Sequence, residues 1–339
     1  MKTTTIAVDV ATAHLEIAVS NGAGRVTERR RLARSRVLPY FRKQPSATVL
    51  LEACASAHHW ARELQGLGHK VVLLPPHAVR PYVTRNKTDK TDAKALLEAY
   101  RNEDIRPVPV KSPDQQALAA IHRLRSGWVA TRTARLNALR GFAKELGLVI
   151  PTGVRHVALN LRAALEDADS PIPYSLRPLL AEGLAEIAQL DARIRLAEKT
   201  LASLAENLPA VARLRSIPGI GPLTSTALVA FVGDVQRFPS GRHFASYLGL
   251  TPRERSSGKT RRLGAISKRG DPYLRKLLVQ GARAVLWAAR ARKEPGRLRS
   301  WALRIEKDRG HNKAAVALAN KLARIAWAVW RKDVPFQEV

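Results

Sequence analysis

Apolar residues in the first 107 positions come in short runs of strand length, and after a cluster of prolines they come at helical spacing. "TTTIAVDVA" from Thr3, "LEIAVSN" from Leu15 and "GRVTERRRLA" from Gly24 read as three short strands, with "NGAG" (Asn21 to Gly24) as the turn between the second and third. They predict an antiparallel meander. "ATVLLEA" (Ala47 to Ala53) and "HKVVLLPP" (His69 to Pro76) are strands of the buried type, separated by the helical segment "HHWARELQGLG". A further helix, "AKALLEAYR", precedes Pro107, Pro109 and Pro113, which mark an exit from a mixed α/β domain. The boundary is placed at residue 107.

Residues Asp114 to Leu148 read as one long helix with leucines at 118, 124, 136, 139 and 146. Arg123, Arg125, Arg132, Arg135, Arg140 and Lys144 recur along it, either as a solvated face or as a strip that tracks a nucleic-acid backbone. After the breaks "PTGVRHVALN" and "DSPIPYSLRP", Leu180, Ile187, Ile194 and Leu201 fall at heptad position a, with Leu190, Ala197 and Leu204 at d. Residues 108–208 are therefore expected to be a helical coiled-coil linker, closed either within the chain or against a second copy. Residues 209–339 are expected to form a mainly helical C-terminal domain.

Lys and Arg number 58 against 28 Asp and Glu, a formal net charge of +30 with a sequence pI near 11.3. Solubility needs far less, so a polyanionic partner is expected. The longest apolar runs, such as "ALVAFVG" from Ala227, fall short of the ~20 residues of a spanning helix, which argues against a membrane. "MKTTTIAVDVA" has no secretory pattern, so a cytoplasmic location is expected. Cys54 is the only cysteine, excluding an intrachain disulfide and cysteine-rich zinc modules. Any metal must rest on carboxylates.

Four acids meet that need. Asp9 interrupts an apolar strand, where Asp is depleted; Glu52 ends the fourth strand; Asp89 and Asp92 lie three residues apart at the start of a helix. Converged, they would call for one or two Mg²⁺ ions, which neutralise such a cluster and activate a phosphodiester. As separate residues, Asp89 and Asp92 are ordinary acids at a helix N-terminus. A strand-borne Asp, a strand-end Glu and later helix-borne acids match the RNase H-like nuclease arrangement.

Two further stretches point to DNA. In "SIPGIGPLTSTALVAF", Gly219 and Gly221 permit a tight turn between helical pieces, the pattern of a helix-hairpin-helix that contacts phosphates through backbone N–H groups. Between Arg253 and Lys276 stand nine basic residues: Arg253, Arg255, Lys259, Arg261, Arg262, Lys268, Arg269, Arg275 and Lys276. A phosphate groove fits that density. Within it, Ser257 beside Gly258 is the better nucleophile candidate and Ser256 the fallback, since guanidinium groups would stabilise charge developing on phosphate oxygens. The bland alternative is a serine that only donates a hydrogen bond to phosphate.

Together, "AVDVA", "LLEA", "NKTDKTDA" (Asn86 to Ala93), "IPGIG" and "YLGLTPRERSSG…ISKRGDPYLRKLL" resemble one family, the bridge-RNA-guided DEDD transposases of the insertion-sequence family "one-ten", in its longer-linker branch. The resemblance covers nearly the whole chain in order. It implies a RuvC-like domain, a coiled-coil linker and a C-terminal transposase domain. It further implies Mg²⁺ on Asp9, Glu52, Asp89 and Asp92, with Ser257 attacking DNA to give a phosphoserine intermediate. A Holliday-type junction, a composite site in a tetramer, and a noncoding RNA that pairs with donor and target DNA also follow from it. One departure is local: where the family often has glycine after the glutamate, this chain reads "EACASAHHW". Two rival readings stand beside it, a Holliday-junction nuclease that uses water in place of serine, and a nonenzymatic nucleic-acid scaffold.

Overall fold

The computed structural model describes residues 4–21, 25–83 and 89–338, and the side chains of residues 89–91 lie outside it. The chain divides into two compact units, Met1–Pro113 and Asp114–Val339. The regions read as linker and C-terminal domain thus share the second unit.

The first unit is built on a five-stranded sheet of β1 (Thr5–Val10), β2 (His14–Ser20), β3 (Val26–Ala33), β4 (Thr48–Glu52) and β5 (Lys70–Leu74), in the order β3-β2-β1-β4-β5. β1, β2 and β3 form the antiparallel meander, whereas β4 and β5 run parallel to β1. The turn at Asn21 to Gly24 lies largely outside the described residues. β4 reads "TVLLE" without alternation because both faces are covered, the expected pattern for a parallel strand. β3 carries "TERRR" and forms one edge, where charge discourages pairing with other strands.

Helices α1 (Arg34–Arg42) and α2 (Ala57–Gly66) cover one face, placing Val37, Phe41, Trp60 and Leu64 against Ile6, Val8, Val49 and Leu51. After the short α3 (Pro76–Val79) and a 3₁₀ turn, α4 (Asp89–Tyr100) packs Ala93, Leu96 and Ala99 on the other face, against Ala7, Ala18 and Leu50. Alternation along the strands decides which side chains go where. Asp9 and Glu52 follow Ala7 and Leu50 by two residues, so they emerge on the face that α4 covers.

The second unit begins with α5 (Pro113–Glu145), α6 (Val154–Glu166) and α7 (Arg177–Glu206). α5 and α7 run antiparallel: Leu136 and Leu139 share a core with Leu180, Leu184 and Ile187, and Leu118 meets Leu201 at the other end. Ion pairs Arg125–Glu198, Arg132–Asp191 and Arg135–Glu186 keep that register. The apolar heptad stripe of α7 is therefore covered within the chain from Leu180 to Leu201, while Leu204 stays exposed. Three of the six basic residues on α5 serve this seam and are not part of a free strip.

The remainder is α8 (Pro209–Arg215), α9 (Pro222–Val232), α10 (Gly241–Tyr247), a hairpin of β6 (Pro252–Glu254) and β7 (Leu263–Ile266), then α11 (Pro272–Arg290), α12 (Gly296–Arg309) and α13 (His311–Lys332). α9, "PLTSTALVAFV", is apolar nearly all round and buried at almost every position, which its central place among α7, α8 and α11 requires. No helix of the described residues is long and apolar enough to cross a membrane.

Candidate active site

In the sheet, Val8 pairs with Leu51, so one step further Asp9 stands beside Glu52 on adjacent parallel strands. On its other side Asp9 pairs with Glu16, and Glu16 pairs with Arg31. Partners directly across a ladder share a face, so Arg31, Glu16, Asp9 and Glu52 form one row across four strands. Glu16 is an acid that the sequence reading passed over; its place beside Asp9 depends on strand pairing that residue spacing does not reveal. Arg31 lies 3.5 Å from the Glu16 carboxylate and offsets its charge.

The thiol of Cys54 senses the remaining acids. Burial pushes its pKa up first, and the negative charges of Glu52 and Asp9 push in the same direction. Cys54 follows the strand end by two residues, held by its N–H donating to the Glu52 carbonyl at 2.8 Å. The departure "EACASAHHW" also has a structural consequence here. Ser56, preceding α2, takes φ 64°, a left-handed conformation in which a glycine would be unstrained.

Asp92 lies on α4 four residues before Leu96 and seven before Ala99, on the stripe that faces the sheet, and is half-buried. Asp89 opens the same helix, but its side chain lies outside the described residues. The acids thus belong to one sheet face and the helix packed on it. Among the described residues no three His, Cys, Asp or Glu side chains are gathered closely enough to hold a metal ion. The donor chemistry is nonetheless that of a hard cation: carboxylate oxygens, with Asp9 and Glu52 as neighbours.

In the second unit, α8 and α9 pack against each other around the turn 216–221. Gly219 has φ +84°, and an added Cβ would stand 2.8 Å from the Gly281 carbonyl oxygen and 2.7 Å from Val285 of α11. The demand for glycine at 219 is therefore met inside the protein. Gly221 is exposed, and a Cβ there would meet nothing within 4 Å.

The serines sit on the exposed hairpin between β6 and β7. Ser257 and Thr260 exchange backbone hydrogen bonds of 3.2 and 3.1 Å, closing a two-residue turn over Gly258 and Lys259, with Gly258 at φ +54°. Arg255 N–H donates to the Arg262 carbonyl at 2.9 Å, so these two residues face each other two steps below Ser257 and Thr260. Alternation then puts Ser256 with Glu254 and Arg261 on one face, and Ser257 with Arg255, Thr260 and Arg262 on the other.

The contacts follow this division. Ser256 Oγ donates to Glu254 Oε1 at 2.7 Å and accepts from Arg262 N–H at 3.2 Å, while Arg261 lies 3.5 Å from the same carboxylate. Among the described residues, the Ser257 hydroxyl has no hydrogen-bond partner, and the guanidinium groups of Arg253, Arg255 and Arg262 have no carboxylate partner. Lys259 occupies the exposed tip.

The base of the hairpin is fixed by the segment that follows it. Ser267 N–H donates to the Thr251 carbonyl at 2.8 Å and Lys268 N–H to that of Gly249 at 3.1 Å. Arg275 reaches the carbonyls of Leu248 and Arg269 at 3.1 and 3.0 Å. Asp271 caps α11 by accepting from the N–H groups of Tyr273 and Leu274 at 2.7 and 3.2 Å. Lys268 and Arg269 are consequently carried on a braced turn, both exposed.

An acid-bearing mixed-sheet unit joined to a helical unit that displays a basic serine hairpin defines a DNA-processing class of protein. Residues 6–147 match the DEDD transposase family of IS110 elements, described as "Transposase", and residues 211–295 match the "Transposase IS116/IS110/IS902 family". The chain is 43% identical over 310 residues, 91% of each chain, to the "Probable family 20 transposase" of Pseudomonas aeruginosa. It is 36% identical to the "Transposase for insertion sequence element IS1328" of Yersinia enterocolitica, over 99% of both chains. With the "Transposase for insertion sequence element IS1111A" of Coxiella burnetii it shares 34% identity, over 98% of this chain and 91% of the relative. The chain belongs to the IS110 family of transposases.

Proposed function

We propose that this transposase cuts and exchanges the strands of an insertion sequence with Ser257 as nucleophile and Asp9, Glu52, Asp89 and Asp92 as metal-binding acids. The observation that carries the reading is the division of the hairpin. Among the described residues the Ser257 hydroxyl has no partner and Arg253, Arg255 and Arg262 have no carboxylate partner, whereas Ser256 is tied to Glu254.

In the proposed step the Ser257 oxygen forms a bond to phosphorus, the bond from phosphorus to one bridging oxygen breaks, and the strand end departs with a hydroxyl. The serine proton passes to water or a nearby base, and the departing oxygen takes a proton in turn. Arg253, Arg255, Lys259, Arg261 and Arg262 hold phosphate oxygens, with Lys268 and Arg269 further along the groove. Gly219 and Gly221 mark a helix-hairpin-helix turn against the DNA backbone. Mg²⁺ bound by the four acids would neutralise charge and polarise the phosphate. The phosphoserine preserves the energy of the broken bond, so a strand can be rejoined without another energy source.

The finer features follow the same reading: a RuvC-like fold for the first unit, a coiled-coil character for α5 and α7, a homo-oligomer acting in the cytoplasm on double-stranded donor and target DNA, and a bridge RNA that selects both by base pairing. The test is recombination in cells between plasmids carrying the element with its native flanks. Ser257→Ala and Asp9→Asn should each abolish it. Retained cleavage in Ser257→Ala with loss in Asp9→Asn would replace the serine by water and make the protein a junction nuclease. Binding with no strand breakage in the unmodified protein would make it a scaffold.

A further inference from the structure

A cleft of about 980 Å³ opens at the base of the serine hairpin, between β7 and helices α12 and α13. Its long wall is one stripe of α13: Lys313, Val316, Ala317, Asn320, Lys321 and Arg324 recur at helical spacing. The opposite stripe, with Ala315, Leu318, Ala319 and Leu322, faces the core. The helix thus has two working faces, one structural and one turned to the cleft. The volume lies at the upper end of the range for built ligand sites, roughly 300–1,000 Å³.

The order of chemistry along the wall is specific. Val316 and Ala317 make an apolar middle of the stripe, Leu250 and Ile266 also line the cleft, and cations stand at both ends of the stripe. No acidic side chain lines it among the described residues. Lys321 Nζ is held 4.1 Å from the ring centroid of Trp301, and Asn320 donates to the Leu250 carbonyl at 3.1 Å, fixing α13 to the segment that enters the hairpin. An apolar slot with cations at its rim matches a nucleotide: the flat base goes inside and the phosphates stay at the edge. A paired base cannot offer its faces to such a slot, but an unpaired one can.

We propose that this cleft binds unpaired DNA next to the serine hairpin, with a base in the slot between Val316, Ala317 and Ile266 and its flanking phosphates on Lys313, Lys321 and Arg324. The cleft therefore selects a melted or displaced strand over intact duplex. It requires neither Ser257 nor the acids, so it stands or falls separately from the proposed chemistry.

The experiment uses the full chain carrying Ser257→Ala, so that cleavage plays no part, and measures fluorescence anisotropy with a labelled oligothymidine and with a duplex of equal length. Ala317→Phe, which fills the slot, should weaken oligothymidine binding about tenfold and duplex binding less than twofold. Equal loss for both, or no loss for the single strand, would overturn the proposal, as would, with a labelled oligouridine added as a third probe, a loss confined to that RNA. Should Ala317→Phe fail to fold, photo-cross-linking of 5-iodouracil DNA to the Ser257→Ala protein decides. Adducts on Trp301 or within 311–324 are expected, and adducts confined to other segments would contradict it.

Discussion

Ser256 donates a hydrogen bond of 2.7 Å to Glu254, while the hydroxyl of the adjacent Ser257, on the other face of the same hairpin, has no partner among the described residues. The two serines therefore fail differently when truncated. Ser256→Ala removes hydrogen bonds that fix an exposed hairpin, each worth about 1 kcal/mol, and should leave recombination reduced about tenfold. Ser257→Ala should leave none. A quantitative plasmid recombination assay separates them, and the reverse order would move the nucleophile to Ser256.

Gly219 and Gly221 are also distinguishable. An added methyl at 219 meets the Gly281 carbonyl and Val285 and sits at positive φ, so Gly219→Ala should lose about 2–4 kcal/mol of stability in urea unfolding. Gly221→Ala meets open space and should fold normally. The second variant is the clean probe of a phosphate contact at this turn, read as DNA affinity at fixed salt. Similar unfolding midpoints for both variants would contradict the packing argument.

Ser56→Gly should stabilise the first unit by about 1 kcal/mol, because glycine relieves the φ of 64° at an exposed position. Thermal unfolding checks the sign. A lower midpoint would mean that the side chain contributes more than its backbone strain costs.

His122 gives the protein a pH dependence. It is fully buried, its Nδ1 lies 3.0 Å from the Tyr273 hydroxyl, and its Nε2 lies 3.1 Å from Thr226 Oγ1. Thr226 donates onward to the Pro222 carbonyl at 2.6 Å, so its oxygen accepts from Nε2–H, and in the neutral ring Nδ1 accepts from the Tyr273 hydroxyl. Burial, and then the charge of Arg125, lower its pKa from 6.5 to about 4. With the folded value below the unfolded one, the unfolded chain binds the extra proton as pH falls. The stability tied to this residue is present above pH 6.5 and is lost towards pH 4, by up to about 3 kcal/mol. Urea unfolding at pH 7.5 and 4.5 should show a steeper loss for the unmodified protein than for His122→Gln. Equal losses would contradict the assignment.

Periodicity makes the meander, the long helices and the apolar stripe of α7 legible in the sequence, because each depends on spacing within one segment. Pairing between segments was not legible. Glu16 looked like a polar position in a strand until the register set it beside Asp9. Arg125, Arg132 and Arg135 read either as a solvated face or as a basic strip until α7 supplied Glu198, Asp191 and Glu186. The serine loop was legible as basic and flexible, but the opposite facing of Ser256 and Ser257 follows from a hairpin register that composition does not carry. The slot on α13 was hidden because alanine and valine between lysines read as ordinary helix.

The most direct measurement is peptide mapping of protein recovered covalently joined to DNA, from cells that carry the gene with its native flanks. The account predicts a nucleotide-linked peptide spanning 256–261 with the modification on Ser257, absent from Ser257→Ala and from Asp9→Asn. A modification on Ser256, or recombination that proceeds in Ser257→Ala with no adduct at all, would contradict it.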